Sequence, residues 1–163
     1  MILQVRSPLT NSFLTSYLDE IVKFIKTEGI SELLVLTSSF AHETSVIGMN
    51  SFSYMENNKS TLLNKEAIEK SGFSINPNSS VILGGGYAMN IYNIASQNEI
   101  PCAVMSMAVN EGDNKVEANQ LAQRLNTFLK AVPMKSEKEQ EAIFKKPISW
   151  KLLFGHNVDV SIY

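Results

Sequence analysis

The sequence predicts an α/β fold, a sheet with helices on its faces, and three observations carry that prediction. Val81 to Asn114 reads as strand, glycine turn, helix, proline break, strand and polar turn. Apolar runs too short for helices, Ile2–Val5 and Leu33–Thr37, stand on either side of an amphipathic segment. A long apolar stripe at helical spacing then follows Asn114. A strand–helix–strand unit implies a parallel pair joined by a right-handed crossover. The remaining elements should cover the faces and edges of that sheet.

Taken in order, Ile2-Leu3-Gln4-Val5 reads as a strand that starts almost at the initiator methionine. A loop containing Pro8 leads to a helix with Leu14, Leu18, Ile21, Val22 and Ile25 on one face and Asp19, Glu20, Lys23 and Lys26 toward water. Gly29 is placed to close that helix. Leu33 to Thr37 reads as a buried strand, Ser45 to Ser60 as a long polar loop, and Leu62 to Lys70 as a short helix. Gly72 to Ser80 is turn chemistry throughout. Val81-Ile82-Leu83 reads as a strand that stops at Gly84-Gly85-Gly86, and Ala88, Ile91, Tyr92, Ile94 and Ala95 share one helical stripe. Pro101 pushes its predecessor out of the α region and ends that helix. Cys102 to Val109 is a buried strand. Asn114 and Glu117 have capping-box spacing ahead of Leu121, Ala122, Leu125, Phe128, Leu129 and Val132, and Pro133 stops the stripe. Ser136 with Glu139 starts a second charged helix. Trp150 and Phe154 are expected to pack the last segment onto the domain, before an exposed tail at 156–163.

Composition narrows the function classes. The 163 residues, 44% hydrophobic, suffice for one domain with a substantial core. A net charge of −2 supplies no basic footprint for nucleic acid. No apolar run reaches the length of a membrane span, and MILQVRSPLT lacks the apolar core of a signal peptide. Cys102 is the only cysteine, so no intramolecular disulfide can form, which favours a reducing compartment. Its apolar neighbours make it a core packer rather than a nucleophile.

Three stretches could carry chemistry. Ser38-Ser39-Phe40-Ala41-His42-Glu43 could present a serine nucleophile and a histidine base at a strand end, where α/β sheets place their sites. No G-x-S-x-G elbow supports this, and the segment reads better as a polar loop. Gly84 to Gly86 could cradle a phosphate at a helix N-terminus. It lacks both Lys-Ser/Thr and G-x-G-x-x-G spacing, so close packing against the sheet or a partner fits the glycines better. Glu111 and Asp113 read as turn and cap residues rather than an acid–base pair. His42 and His156 stand far apart in the chain, and no metal-ligand set or cofactor motif is present.

In that order and spacing, GGGYAMNIYNIASQNEIPCAVMSMAVNEGDN, an amphipathic helix, then PISWKLLFG resemble the proteasome assembly chaperone 2 family. LQVRSPLTNSF and LLVLTSS resemble its middle portion, so the likeness runs from about the first residue to the last. The family's N-terminal portion has no counterpart, and residues 1–163 are expected to form a single but incomplete domain. The resemblance implies a three-layer-like sheet with flanking helices, with the topology of phosphorylase-type hydrolases but without their catalytic residues. It implies a non-enzymatic chaperone of 20S proteasome assembly, paired with proteasome assembly chaperone 1 on the α-ring, in the cytoplasm and with the nucleus left open. Such chaperones carry a hydrophobic–tyrosine–any C-terminal motif. Ser161-Ile162-Tyr163 departs from it, although Ile162 and Tyr163 could still anchor by burying apolar area. Ile162, Tyr163, Gly84, Gly85 and Gly86 are the candidate partner-binding residues. The competing reading is a nucleoside-phosphorylase-type enzyme that binds phosphate at Gly84 to Gly86.

Overall fold

The computed structural model describes residues 1–5, 10–43, 51–60, 65–76, 81–133 and 148. Four strands form one mixed sheet: β1 (Leu33–Phe40), β2 (Phe52–Glu56), β3 (Ser74–Ile75) and β4 (Cys102–Val109), in the order β1-β4-β2-β3. β1 runs parallel to β4, β2 antiparallel to β4, and β3 parallel to β2. The helices are α1 (Asn11–Thr27), α2 (Lys65–Lys70), α3 (Ala88–Gln97) and α4 (Lys115–Leu129). The architecture is α/β, with helices on both faces of the sheet.

Period-two alternation along the strands separates the two cores. One face of the sheet gives Phe52, Tyr54, Ala103, Met105 and Met107 to a core completed by Ile68 of α2 and by Leu121 and Leu125 of α4. The other gives Leu33, Val35 and Cys102 to a core with Ile21, Val22 and Ile25 of α1 and Ala95 of α3. β4 feeds both, so six consecutive residues, Cys102 to Met107, are buried. Burying a side chain such as the fully enclosed Ile68 stabilises the fold by about 1.5–3 kcal/mol.

The amphipathic stripe of α1 packs as its spacing requires, with Leu18, Ile21, Val22 and Ile25 buried. Its end is a Schellman closure: Ile30 N–H donates to the Ile25 carbonyl at 3.0 Å, and Gly29, at φ +64°, donates to Lys26 at 3.4 Å. α3 ends in the same way through Ile100 to Ala95 and Glu99 to Ser96, but with Glu99 in the left-handed position at φ +56°.

Several expectations change. Ile2–Val5 forms no strand, and Ile2 is 95% exposed. Strand sequence without a paired neighbour cannot satisfy its backbone in a ladder. Val81–Leu83 is likewise not a strand. The parallel partner of β4 is β1, and the Val81–Leu83 segment lies beside the sheet, with Phe40 N–H donating to the Leu83 carbonyl at 3.0 Å and Ile82 packed against Met55 and Val104. The supposed loop Ser45 to Ser60 contains β2, an interior strand, and the turn segment after Gly72 contains β3. β1 extends through Ser38 and Ser39 to Phe40 and is half-exposed rather than buried. α4 lacks the expected capping box. Asn114 makes no side-chain cap bond, the Asp113 carboxylate accepts the Lys115 N–H at 3.2 Å instead, and Glu117 Oε2 has no partner among the described residues. The second charged helix, Trp150, Phe154 and the 156–163 tail lie outside the described residues.

Candidate interaction surface

The glycine turn is built around the carboxyl end of β1. Gly84 adopts φ +77°, and a Cβ there would stand 2.9 Å from the Phe40 ring. Gly85 is buried, with room for no side chain beside Ile82, and its carbonyl accepts the Thr37 hydroxyl at 3.0 Å. Gly86 adopts φ +55° and faces open space. The three glycines therefore let the turn lie flat on Phe40 and start α3 immediately afterwards. Two amides of the turn are engaged within it: Gly85 donates to Ile82 at 3.0 Å and Ala88 to Gly85 at 3.1 Å. That geometry favours packing over a phosphate cradle.

The other chemical candidates are dispersed. Ser38 and Ser39 are adjacent in β1, so their side chains leave opposite faces of the sheet. His42 lies in a 3₁₀ turn and stacks on Phe40, with centroids 5.4 Å apart and planes 21° from parallel. Asp113 serves as the α4 cap, and Glu111 is exposed in the preceding turn. Cys102 is fully enclosed, and burial, then the charge of Glu32, pushes its thiol up to about 12, so it stays protonated at neutral pH. It packs as its sequence context suggested. Among the described residues, no group of three or more His, Cys, Asp or Glu side chains could hold a metal ion, and no helix is long and apolar enough to cross a membrane.

Sequence reading missed a row of hydroxyls across the sheet. Thr37 pairs with Ser106, Ser106 with Ser53, and Ser53 with Ser74. The Ser53 and Ser106 hydroxyls bond at 2.7 Å, which allows Ser106 to be 97% buried. The alternation of Phe52, Ser53 and Tyr54 was the available signal, hidden among serines and asparagines. At the far end of α3, an open polar cleft of about 530 Å³ is lined by Asn57, Lys59, Tyr92, Ser96 and Glu99 among others. The Tyr92 hydroxyl donates to the Glu56 carbonyl, and Asn57 is committed to holding β4, so these groups brace the fold.

An apolar surface remains beside the glycine turn. Phe40, Val81 and Leu83 are 37%, 45% and 52% exposed. Phe40 and Leu83 are held together by their backbone bond, with Gly84 lying close against the Phe40 ring. Exposed apolar residues side by side at a turn are one place where a protein partner could bury area. Ile162 and Tyr163 lie outside the described residues.

No protein-family model matches the chain. Individual proteins do. A bovine protein named proteasome assembly chaperone 2 is 28% identical over 99% of this chain and 67% of its own length. The human protein of that name is 29% identical with the same coverage. The resemblance is to proteasome assembly chaperone 2. The likeness first read from the glycine turn and the EGDN turn thus extends along nearly the whole chain. Among solved structures, Pyrococcus furiosus PbaA, described as an archaeal homolog of proteasome-assembly chaperone, superposes with a TM-score of 0.56 at 20% identity. It covers 85% of this chain and 56% of its own, so this chain spans about half the archaeal protein. A Thermoplasma acidophilum protein of unknown function gives a TM-score of 0.56 at 14% identity, over 84% of this chain and 54% of its own. The two structural likenesses establish a shared α/β fold.

Proposed function

We propose that this chain is a non-enzymatic chaperone of 20S proteasome assembly. It pairs with a proteasome assembly chaperone 1 homologue and promotes formation of the α-ring, in the cytoplasm and with the nucleus left open. The observation that carries this is the similarity, along 99% of the chain, to relatives named proteasome assembly chaperone 2. The geometry supports it. The glycine turn packs on Phe40, the thiol is enclosed, and an apolar surface stands ready for a protein partner. Such a chaperone works by binding free energy, stabilising one arrangement of subunits and occluding competing contacts. In this reading Gly84, Gly85 and Gly86 shape the partner surface, and Ile162 and Tyr163 supply a second, aliphatic–aromatic anchor.

Affinity purification of the full chain from its own cells tests this, with Leu83→Asp as the surface variant. The expected result is recovery of a chaperone 1 homologue and proteasome α subunits with the native chain. Leu83→Asp should lose them at least about tenfold while keeping its native circular dichroism, since a charge in an apolar interface is unpaired. Recovery of neither protein would remove the proposal's basis. Phosphate or nucleoside binding that shifts the melt and disappears in Gly85→Val would instead favour the phosphorylase-type enzyme.

A further inference from the structure

The polar cleft at the far end of α3 stands on a braced floor. The Tyr92 hydroxyl donates to the Glu56 carbonyl at 3.0 Å, and the Ser96 hydroxyl donates to the Tyr92 carbonyl at 2.8 Å. Asn57 donates to the Ile100 carbonyl at 2.8 Å and accepts the N–H groups of Cys102 and Lys59 at 3.1 and 3.2 Å. Just past α3, Lys26 Nζ donates to Asn98 Oδ1 at 2.9 Å and ties the helix end to α1. The two walls, α3 on one side and the turn after β2 on the other, are therefore fixed in advance, which lowers the ordering cost of an occupant.

The side chains nearer the opening are uncommitted. Asn58, Asn93 and Gln97 line the cleft, are exposed, and have no side-chain hydrogen bond among the described residues. A carboxamide offers N–H donors and a C=O acceptor, the same functions as a peptide unit. Asn93 and Gln97 stand four residues apart on one face of α3, about 6 Å along its axis. Alternate residues of an extended chain are about 6.7 Å apart, so successive units on one side of a strand can meet both amides. Asn58 supplies a third amide from the opposite wall. The charged residues of the lining, Lys59 and Glu99, pair with each other at 3.2 Å and leave no net charge for a ligand to answer. Glu99 keeps its left-handed φ of +56° where glycine would be unstrained, and its side chain reaches from the end of α3 to Lys59.

We propose that this cleft is a binding site for an extended, uncharged polypeptide segment. The segment's backbone amides pair with the side-chain amides of Asn93 and Gln97 on one wall and of Asn58 on the other. The site is separate from the surface beside the glycine turn. That turn adjoins the first residue of α3, and the ten-residue helix puts about 15 Å between the two.

Thermal denaturation of the full chain, titrated with an N-acetylated, C-amidated peptide of alternating threonine and serine, tests this. The expected result is a saturable rise in melting temperature of about 3 °C at about 10 mM peptide. The double variant Asn93→Ala, Gln97→Ala should keep the native circular dichroism and need at least about tenfold more peptide for the same rise. Asn58→Ala, on the other wall, should shift the titration in the same direction. Leu83→Asp should leave it unchanged, so this reading and the proposed function fail separately. No saturable rise, or a rise that the double variant leaves unaltered, would overturn the proposal. Equal rises with threonine–glutamate and threonine–lysine peptides would also overturn it. A neutral linear oligosaccharide acting through the same residues would assign the cleft to a sugar instead.

Discussion

Glu99 occupies the position where α1 uses Gly29. Both are left-handed closing residues of a helix, at φ +56° and +64°, but only glycine adopts that conformation without a steric cost. The ion pair from Glu99 to Lys59, 3.2 Å long, is solvent-exposed and compensates little. Glu99→Gly should therefore stabilise the chain by about 0.5–1 kcal/mol, read as a higher urea midpoint at unchanged slope. Asn57 is the opposite case. Its amide nitrogen donates to the Ile100 carbonyl at 2.8 Å, and its amide oxygen accepts the Cys102 N–H at 3.1 Å. Asn57→Ala would leave both backbone groups buried and unpaired, and should cost about 2–4 kcal/mol in the same measurement. Nothing in the local sequence distinguishes Asn57 from Asn58. The difference is that Asn57 ends a strand facing the start of β4.

Among the elements, helices were more legible than strands. α1 and α3 follow their apolar stripes because the helical period is local and is repeated over ten or more residues, and α4 does so as far as Leu129, where a left-handed Lys130 ends it before Val132 and Pro133. Their ends depend on single bonds, and the α4 start shows the consequence. Asp113 rather than Asn114 supplies the capping oxygen, and it also pairs with Lys115 Nζ at 2.8 Å. Asp113→Ala should destabilise the chain by about 1 kcal/mol and Asn114→Ala by no more than a few tenths, a contrast thermal denaturation can resolve. β2 was hidden because five residues, with Ser53 inside and Glu56 at the end, give too little pattern to oppose an asparagine-rich context. Burial of Phe52, Tyr54 and Met55 comes from helices on both faces, which the segment itself does not encode. Arg124 shows the same dependence on distant parts. It donates to the Ser71 carbonyl at 2.7 Å and lies over the Phe52 ring at 4.0 Å, joining α4 to α2 and β2.

At the scale of the molecule, the sheet is covered on both faces, and among the described residues no strand pairs with the outer edge of β1. A single chain with exposed Leu36, Phe40 and Leu83 should associate or precipitate when concentrated alone and, under the proposed function, gain stability from the proposed partner. We expect the melting temperature to rise on adding a chaperone 1 homologue and the isolated chain to show concentration-dependent aggregation. A sharp, concentration-independent monomeric melt would contradict this. The candidate surface was partly legible. The triple glycine marked the place, but its neighbour Phe40 read as part of a polar loop, because its apolar role appears only once Leu83 folds back beside it.

The sequence by itself determined the α/β class, the three longer helices, the buried central strand and the inert cysteine, since each rests on composition or on a period repeated within one segment. It also carried the family resemblance, through motifs in a fixed order. Tertiary structure alone decided the strand order, the interior place of β2, the pairing of β4 with β1 and the flattening of the glycine turn onto Phe40. These depend on backbone groups and side chains far apart in the chain, whose hydrogen bonds and contacts exist only when the layers come together.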